Sequence, residues 1–141
     1  MMQGHPESWL QEIRLNQVRL FVSHGAEAPY ESTTAAMTLE YAREVAMNDV
    51  EIAWEEPHAV TWQTGLMVDQ VEDLLLDGTR TDAAPGSDQS VLRLNDADGV
   101  LIGRSRVGSV HVTGSKSRAV HLVKTEATVT ADPGVAPVIV K

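Results

Sequence analysis

The stretch STTAAMTLEYAREVAMND, residues 32–49, decides the fold class that the sequence predicts. Its apolar residues fall on one stripe with helical spacing, at Ala35, Leu39, Ala42 and Ala46. A hydroxyl at the start of the stretch is able to cap the free backbone amides, and the charged residues lie on the other side. The stretch therefore predicts an amphipathic helix.

Two further helices are predicted on either side of this one. Residues 66–77 carry a second apolar stripe, and Gly78 provides a C-terminal stop. Pro6 is followed by acidic and apolar residues, which is typical of the first turn of a short helix.

The segments between and after these helices have a different apolar period, because Val, Ile and Leu alternate with polar residues. This alternation predicts strands at residues 18–22 and around the turn at Pro57. In the second half it predicts one hairpin centred on Ala97 and another centred on Lys116, followed by a short terminal strand in VAPVIVK, residues 135–141. The second half is thus predicted to be a β-meander.

Together these elements predict an α+β fold, with a mainly antiparallel sheet or small barrel and two to three helices packed on it. We expect a single domain over residues 1–141, with a mixed half at 1–77 and a β-rich half at 91–141. Residues 78–90 are rich in Gly, Ser, Thr and Asp, and we expect them to form a loop.

The composition restricts the classes of partner. The formal net charge of −9 disfavours nucleic acid and anionic membranes, which require clustered Lys and Arg. The chain has no cysteine, no apolar run long enough to span a bilayer and no signal-peptide pattern at its start. We therefore expect a cytoplasmic or virion-associated protein that has no cofactor and no nucleic-acid or membrane partner.

Two histidines form the first candidate site. If the second hairpin is centred on Lys116, His111 faces His121, on the side of the hairpin opposite to the Val112–Val120 pair. Two imidazoles at that distance are able to share a divalent metal or to repel each other when protonated. Because no third ligand is adjacent in the sequence, we predict a binding pair without a metal.

A second candidate site surrounds the turn at Pro57. Glu56 and His58 are a carboxylate and an imidazole of the kind that performs acid–base chemistry, and Trp54 and Trp62 flank them. These four residues either line a pocket or serve as solvated turn residues beside two core anchors. The sequence contains no nucleophile elbow, phosphate loop or dinucleotide motif, so we predict no catalytic residue.

Three functional hypotheses follow. The first is a non-catalytic accessory protein that self-associates, or docks onto a larger bacterial or phage particle, through sheet edges such as APVIVK. The alternative is a small-molecule enzyme or ligand-binding domain with Glu and His groups in a pocket between helix and sheet. The third is a regulatory protein whose acidic surface mimics a polyanion. We favour the first, with a protein partner such as a homo-oligomer.

Overall fold

The computed structural model describes residues 1–23, 34–55 and 62–141, and within these ranges it contains strands and no helix. The strands are β1 (Met2–Gln3), β2 (Leu10–Asn16), β3 (Arg19–Val22), β4 (Ala35–Asn48), β5 (Glu51–Trp54), β6 (Thr64–Asp77), β7 (Arg80–Thr81), β8 (Leu92–Gly103), β9 (Arg106–Thr113), β10 (Arg118–Val123), β11 (Glu126–Ala131) and β12 (Ile139–Val140). The predicted α+β class is therefore wrong, and the described chain is all-β.

Every pairing between these strands is parallel and joins segments that lie far apart in the sequence. Ala42 is paired with Val71 and Val71 with Ala97, which gives successive repeats of 29 and 26 residues. The next repeat is shorter, because Asp98 is paired with Arg118, 20 residues later. A chain that returns beside itself in the same direction at each repeat winds as a coil, so the architecture is a parallel β-helix.

Each coil has three faces, which the second coil illustrates. Residues 35–40 form face A, residues 45–48 form face B, and residues 51–54 form face C. Strand β9 shows how one coil passes into the next. Arg106 is paired with β7 on face C, and residues 110–113 are paired with β8 on face A.

The core consists of columns of apolar side chains that stack from coil to coil. One column on face A contains Met2, Leu39, Val68, Leu94, Val112 and Ala131. Another on face B contains Leu15, Met47, Leu76, Ile102, Leu122 and Val140. In both columns the four middle residues are 0% exposed, so burial of these side chains against the coils above and below stabilises the fold.

Residues in the left-handed conformation form the corners between faces. The corner between faces B and C has such a residue in five successive coils, with φ between 48° and 68°: Gln17, Asp49, Gly78, Arg104 and Lys124. The backbone amide of each donates to a carbonyl of the next coil, as from Asp49 to Asp77 O at 2.9 Å. Because these amides are paired, the corners leave no gap in the ladder of backbone hydrogen bonds.

The same corners explain why the helix predictions are wrong. In an ordinary strand the inward residues are two apart, but a left-handed residue adds one to the step. Leu39, Ala42 and Val45 are therefore three apart, with the left-handed Tyr41 and Glu44 between them. A spacing of three resembles a helical stripe, yet all of these residues lie in strand β4.

The predicted helices at Pro6 and at residues 66–77 are wrong as well. Pro6 lies in the turn between the paired residues His5 and Ser8, Leu10 and Ile13 belong to β2, and residues 66–77 belong to β6. Strand β6 has left-handed residues at Gln70 and Asp73, so the same widening of the inward spacing occurs there.

The two predicted antiparallel hairpins are also wrong, and so is the β-meander. Residues 92–103, which were expected to fold back at Ala97, form the single strand β8. The segments on either side of Lys116 do not pair with each other, because β9 and β10 both lie beside β8. The inward residues of β8 are spaced symmetrically around Ala97, which is the pattern that a hairpin would show.

Several strands are confirmed even though their partners differ from the expected ones. The alternation at residues 18–22 corresponds to β3, and that at residues 50–54 corresponds to β5. The second arm of the hairpin predicted around Pro57 lies largely outside the described residues. The expected loop at residues 78–90 is interrupted by β7, whose Thr81 is 3% exposed.

Candidate functional site

Most of the extra residues that make the coils unequal in length lie in the connections from face C of one coil to face A of the next. Residues 82–91 form one such connection, whereas Arg106 and Val110 belong to neighbouring faces with only a left-handed Gly108 corner between them. Longer connections in coiled repeats cluster on one side of the molecule, which is often the binding side. Face C and its connections therefore form the side on which a binding site is expected.

Face C holds a cleft of about 400 Å³, which we name the tryptophan cleft. It is lined by Glu51, Ile52, Ala53, Trp54, Arg80, Thr81, Asp82 and Arg106. The indole nitrogen of Trp54 donates to the backbone carbonyl of Asp82 at 2.8 Å, and its ring centroid lies 5.3 Å from that of Trp62. Trp62 is 2% exposed, so its buried indole packs against the half-buried indole of Trp54, which lines the cleft.

A column of charged side chains runs across face C beside this cleft. It contains Arg19, Glu51, Arg80, Arg106 and Glu126, in that order along the β-helix. Two ion pairs occur in it, Arg19–Glu51 at 3.6 Å and Arg106–Glu126 at 4.0 Å. Arg80 lies between them without an ion pair to any described residue. The middle of the column thus has two adjacent positive charges.

A bidentate surface ion pair lies at the corner between faces B and C. Arg104 donates from Nε to Asp77 Oδ1 at 2.9 Å, and it also donates from Nη2 to Asp77 Oδ2. The hydrogen bond from Arg104 lowers the pKa of Asp77, and the same contact raises the pKa of Arg104. This bidentate pair joins two successive coils at the cleft formed by Asp49, Glu51, Arg80 and neighbouring residues.

The structure separates the two histidines of the first candidate site. His111 lies on face A between Arg93 and Thr130, and His121 lies on face B between Leu101 and Ile139. The prediction that they face each other across a hairpin is wrong, because the strands that carry them are not paired.

His111 has a different partner, since its Nε2 lies 2.8 Å from Asp132 Oδ1. The described part of the chain contains no group of three or more His, Cys, Asp or Glu side chains arranged to hold a metal ion.

The second candidate site is described only in part. Glu56 and His58 lie outside the described residues, whereas Trp54 and Trp62 contact each other at the tryptophan cleft. A pocket between a helix and a sheet, as the sequence suggested for a ligand, does not occur in the described ranges because they contain no helix.

The strands at the two ends of the β-helix each have a single partner among the described strands. We name the outer edges of β11 and β12 the tail edge, because β11 pairs only with β9 and β12 only with β10 among the described strands. We name the outer edges of β1, β2 and β3 the head edge, because each of these strands has one described partner.

Sequence reasoning identified part of the tail edge, in the strand APVIVK. It missed the head edge entirely, because the first strands were assigned to a helix and to an internal sheet.

Comparison with known proteins finds no family model, curated protein or solved structure that matches this chain. Among the described residues there is also no helix of the length and apolar character needed to cross a bilayer.

Proposed function

We propose that the protein is a non-catalytic scaffold that associates with a second copy of itself through the tail edge. The observation that carries this proposal is the outer edge of β11, which has no partner strand among the described residues. After the exposed Glu126, the remaining residues of β11 read ATVTA (127–131), with no charge and no proline among them to prevent another strand from pairing there. Soluble proteins normally protect an exposed edge strand with charges, proline or a covering element, so an unprotected edge favours strand addition.

The side chains at the tail edge support the same proposal. Val140, which ends the core column on face B, is 57% exposed, and its neighbour Ile139 is 42% exposed. Apolar side chains at this end of the core columns are therefore exposed to solvent, unlike those in the middle coils. Association at this edge would remove these apolar groups from water in addition to forming main-chain hydrogen bonds.

The direct test is a variant that removes one hydrogen-bond donor from the tail edge and leaves the fold intact. The amide of Asp132 donates to Val112 O, so by alternation along the strand the amide of Ala131 points away from β9. Ala131→Pro removes that outward donor, and Ala131→Ser is the matched control that keeps it.

We expect sedimentation velocity to show that the natural chain and Ala131→Ser associate as concentration rises, whereas Ala131→Pro remains monomeric. Circular dichroism of the three proteins checks that they share one fold. A natural chain that stays monomeric at every concentration would contradict the proposal. Neither the fold nor the comparisons supports docking onto a phage or bacterial particle, and the proposed partner is a second copy only.

A second candidate function is the binding of a small organic anion in the tryptophan cleft. Arg80, which has no ion pair with a described residue, and the half-buried Trp54 favour this candidate. A guanidinium binds a carboxylate with two parallel hydrogen bonds, and an indole face packs against a ring. Titration with benzoate should quench tryptophan fluorescence in the natural chain and not in Arg80→Gln. Equal responses of the two proteins would exclude this cleft as the site.

A further inference from the structure

We infer that the tryptophan cleft binds a phosphate monoester, with the dianionic phosphate between Arg80 and Arg106 and the esterified apolar group beside Trp54. This inference rests on the proposed binding of a small organic anion at the same cleft, and it names the charge and the chemical class of that anion. The adjacent arginines, the positions of the neighbouring carboxylates and the apolar wall of the cleft support it.

Arg80 and Arg106 lie side by side on neighbouring coils. They are paired in register on β7 and β9, so their Cα atoms are about 4.8 Å apart. The residues that follow them, Thr81 and Val107, are buried, so both arginines point outward. Like charges opposite each other on adjacent strands are destabilising. Every other neighbouring pair in the charged column is an arginine beside a glutamate, so this positive pair is the exception.

The carboxylates near the two arginines leave the ends of both guanidiniums without a hydrogen-bond partner among the described residues. Glu126 approaches Arg106 to 4.0 Å at Nε, which is too far for a hydrogen bond, and the two side chains are 82% and 74% exposed. Glu51, the other neighbour of Arg80, forms its ion pair with an arginine on its far side. Asp82 also lines the cleft but forms no ion pair with either arginine. The positive pair is therefore only weakly neutralised within the described chain.

Two adjacent guanidiniums suit a phosphate monoester better than a carboxylate. One guanidinium donates two parallel hydrogen bonds to an anionic group, so a single arginine occupies both oxygens of a carboxylate. A phosphate monoester has three acceptor oxygens and a charge of about −1.5 to −2 at neutral pH. Arg80 and Arg106 are thus able to contact it from two sides, and its charge neutralises both of theirs.

The apolar wall of the cleft favours an ester over free phosphate. Ala53 follows two residues after Glu51 on β5, which places it about 7 Å along the strand from the charged column. Its small side chain leaves space between the arginines and the half-buried Trp54, whose indole is held by the carbonyl of Asp82 at 2.8 Å. An esterified ring therefore packs against Ala53 and Trp54 when the phosphate lies between the arginines. The cleft volume of about 400 Å³ is sufficient for such a ligand.

The charge of the whole chain restricts the ligand to a single ester. The formal net charge of −9 repels a polyanion at long range, whereas one phosphate group needs only the local pair of arginines. A nucleic acid, which carries a phosphate at every nucleotide, is disfavoured for the same reason.

The test measures dissociation constants by isothermal titration calorimetry, with phenyl phosphate as the probe. Methyl phenyl phosphate is the matched ligand, because it keeps the ring and the phosphorus but carries one negative charge. Inorganic phosphate lacks the ring. Arg106→Gln removes one arginine of the pair, and Arg14→Gln is the matched control variant, since Arg14 is an exposed arginine on face B.

We expect the natural chain and Arg14→Gln to bind phenyl phosphate at least about tenfold more tightly than its methyl ester, a factor that corresponds to about 1.4 kcal/mol. Arg106→Gln should lose this preference, and inorganic phosphate should bind the natural chain at least about tenfold more weakly than phenyl phosphate.

Three outcomes would overturn the inference. Equal binding of phenyl phosphate and its methyl ester, or a preference that Arg106→Gln retains, would exclude the pair of arginines as a dianion site. Equal binding of phenyl phosphate and inorganic phosphate would exclude the apolar wall. In these cases, benzoate binding by the natural chain would leave the proposed small-anion function standing. A natural chain that binds neither benzoate nor phenyl phosphate would overturn both.

Discussion

Adjacent leucines in β6 provide a sharp test of the parallel β-helix. Leu76 is 0% exposed and stacks between Met47 and Ile102 in the core column on face B. Leu75, one residue earlier, points to the outer side of the same face and is half-buried between Ala46 and Leu101. A helix over residues 66–77 would bury Leu75 in its apolar stripe and leave Leu76 outside it, so the two folds rank the two residues in opposite order.

The expected magnitude follows from the burial of each side chain. Truncation of a fully buried leucine to alanine costs about 3 kcal/mol, because the methyl groups lose their burial and leave a cavity. We expect about this loss for Leu76→Ala and about 1 kcal/mol for Leu75→Ala, which removes a partly exposed side chain. Leu75→Ala is thus the matched control, with the same atoms deleted from the neighbouring position.

The assay is equilibrium unfolding in urea, followed by far-ultraviolet circular dichroism. With a slope of about 2 kcal/mol/M, Leu76→Ala should lower the midpoint by about 1.5 M, and the slope should stay unchanged. Leu75→Ala should lower the midpoint by about 0.5 M. If Leu75→Ala were the more destabilising of the two, the assignment of inward and outward residues in β6 would be refuted.

Two further predictions concern single contacts between coils. Ser117 is 1% exposed and its hydroxyl accepts from the amide of Ala97 at 3.0 Å, so Ser117→Ala should lower the free energy of unfolding by about 2 kcal/mol, because a buried donor loses its acceptor. The exposed Ser115→Ala is the control, and equal losses of stability would show that the buried contact is unimportant. Arg104 stabilises Asp77 as a carboxylate and lowers its pKa. The contribution of this ion pair to the free energy of unfolding is therefore present at neutral pH and is lost as pH falls through that lowered pKa. The difference in free energy of unfolding between the natural chain and Asp77→Asn should therefore shrink on acidification. Urea unfolding of both proteins at neutral and at acidic pH measures this difference. A difference that stays constant with pH would contradict the prediction.

The sequence was sufficient to identify several strands but not their partners. The alternation at residues 18–22 and 50–54 is local, and the strands β3 and β5 formed there as expected. Pairing is not local, because a parallel coil brings together residues that are 18 to 37 positions apart. The connections change length from coil to coil, so the internal repeat has no constant period and was not detected.

The candidate sites were affected by the same ambiguity. The proximity of His111 and His121 depended on a hairpin register, and the inward residues Val110, Val112, Val120 and Leu122 are symmetrical enough to suggest one. Trp54 and Trp62 do lie together, with their ring centroids 5.3 Å apart. The position of Arg80 between two ion pairs had no signal in the sequence, since its neighbours come from other coils.

By itself the sequence determined the alternation of apolar residues, the absence of cysteine chemistry and the acidic charge of the chain. The tertiary structure decided that the steps of three residues are corners rather than helical turns. The physical reason lies in backbone conformation at residues such as Tyr41 and Asp73, which adopt positive φ although neither is glycine. An isolated residue of that kind is unfavourable by about 1 kcal/mol or more, so hydrogen bonds and burial between coils must stabilise it. Only the stacked coils provide those contacts.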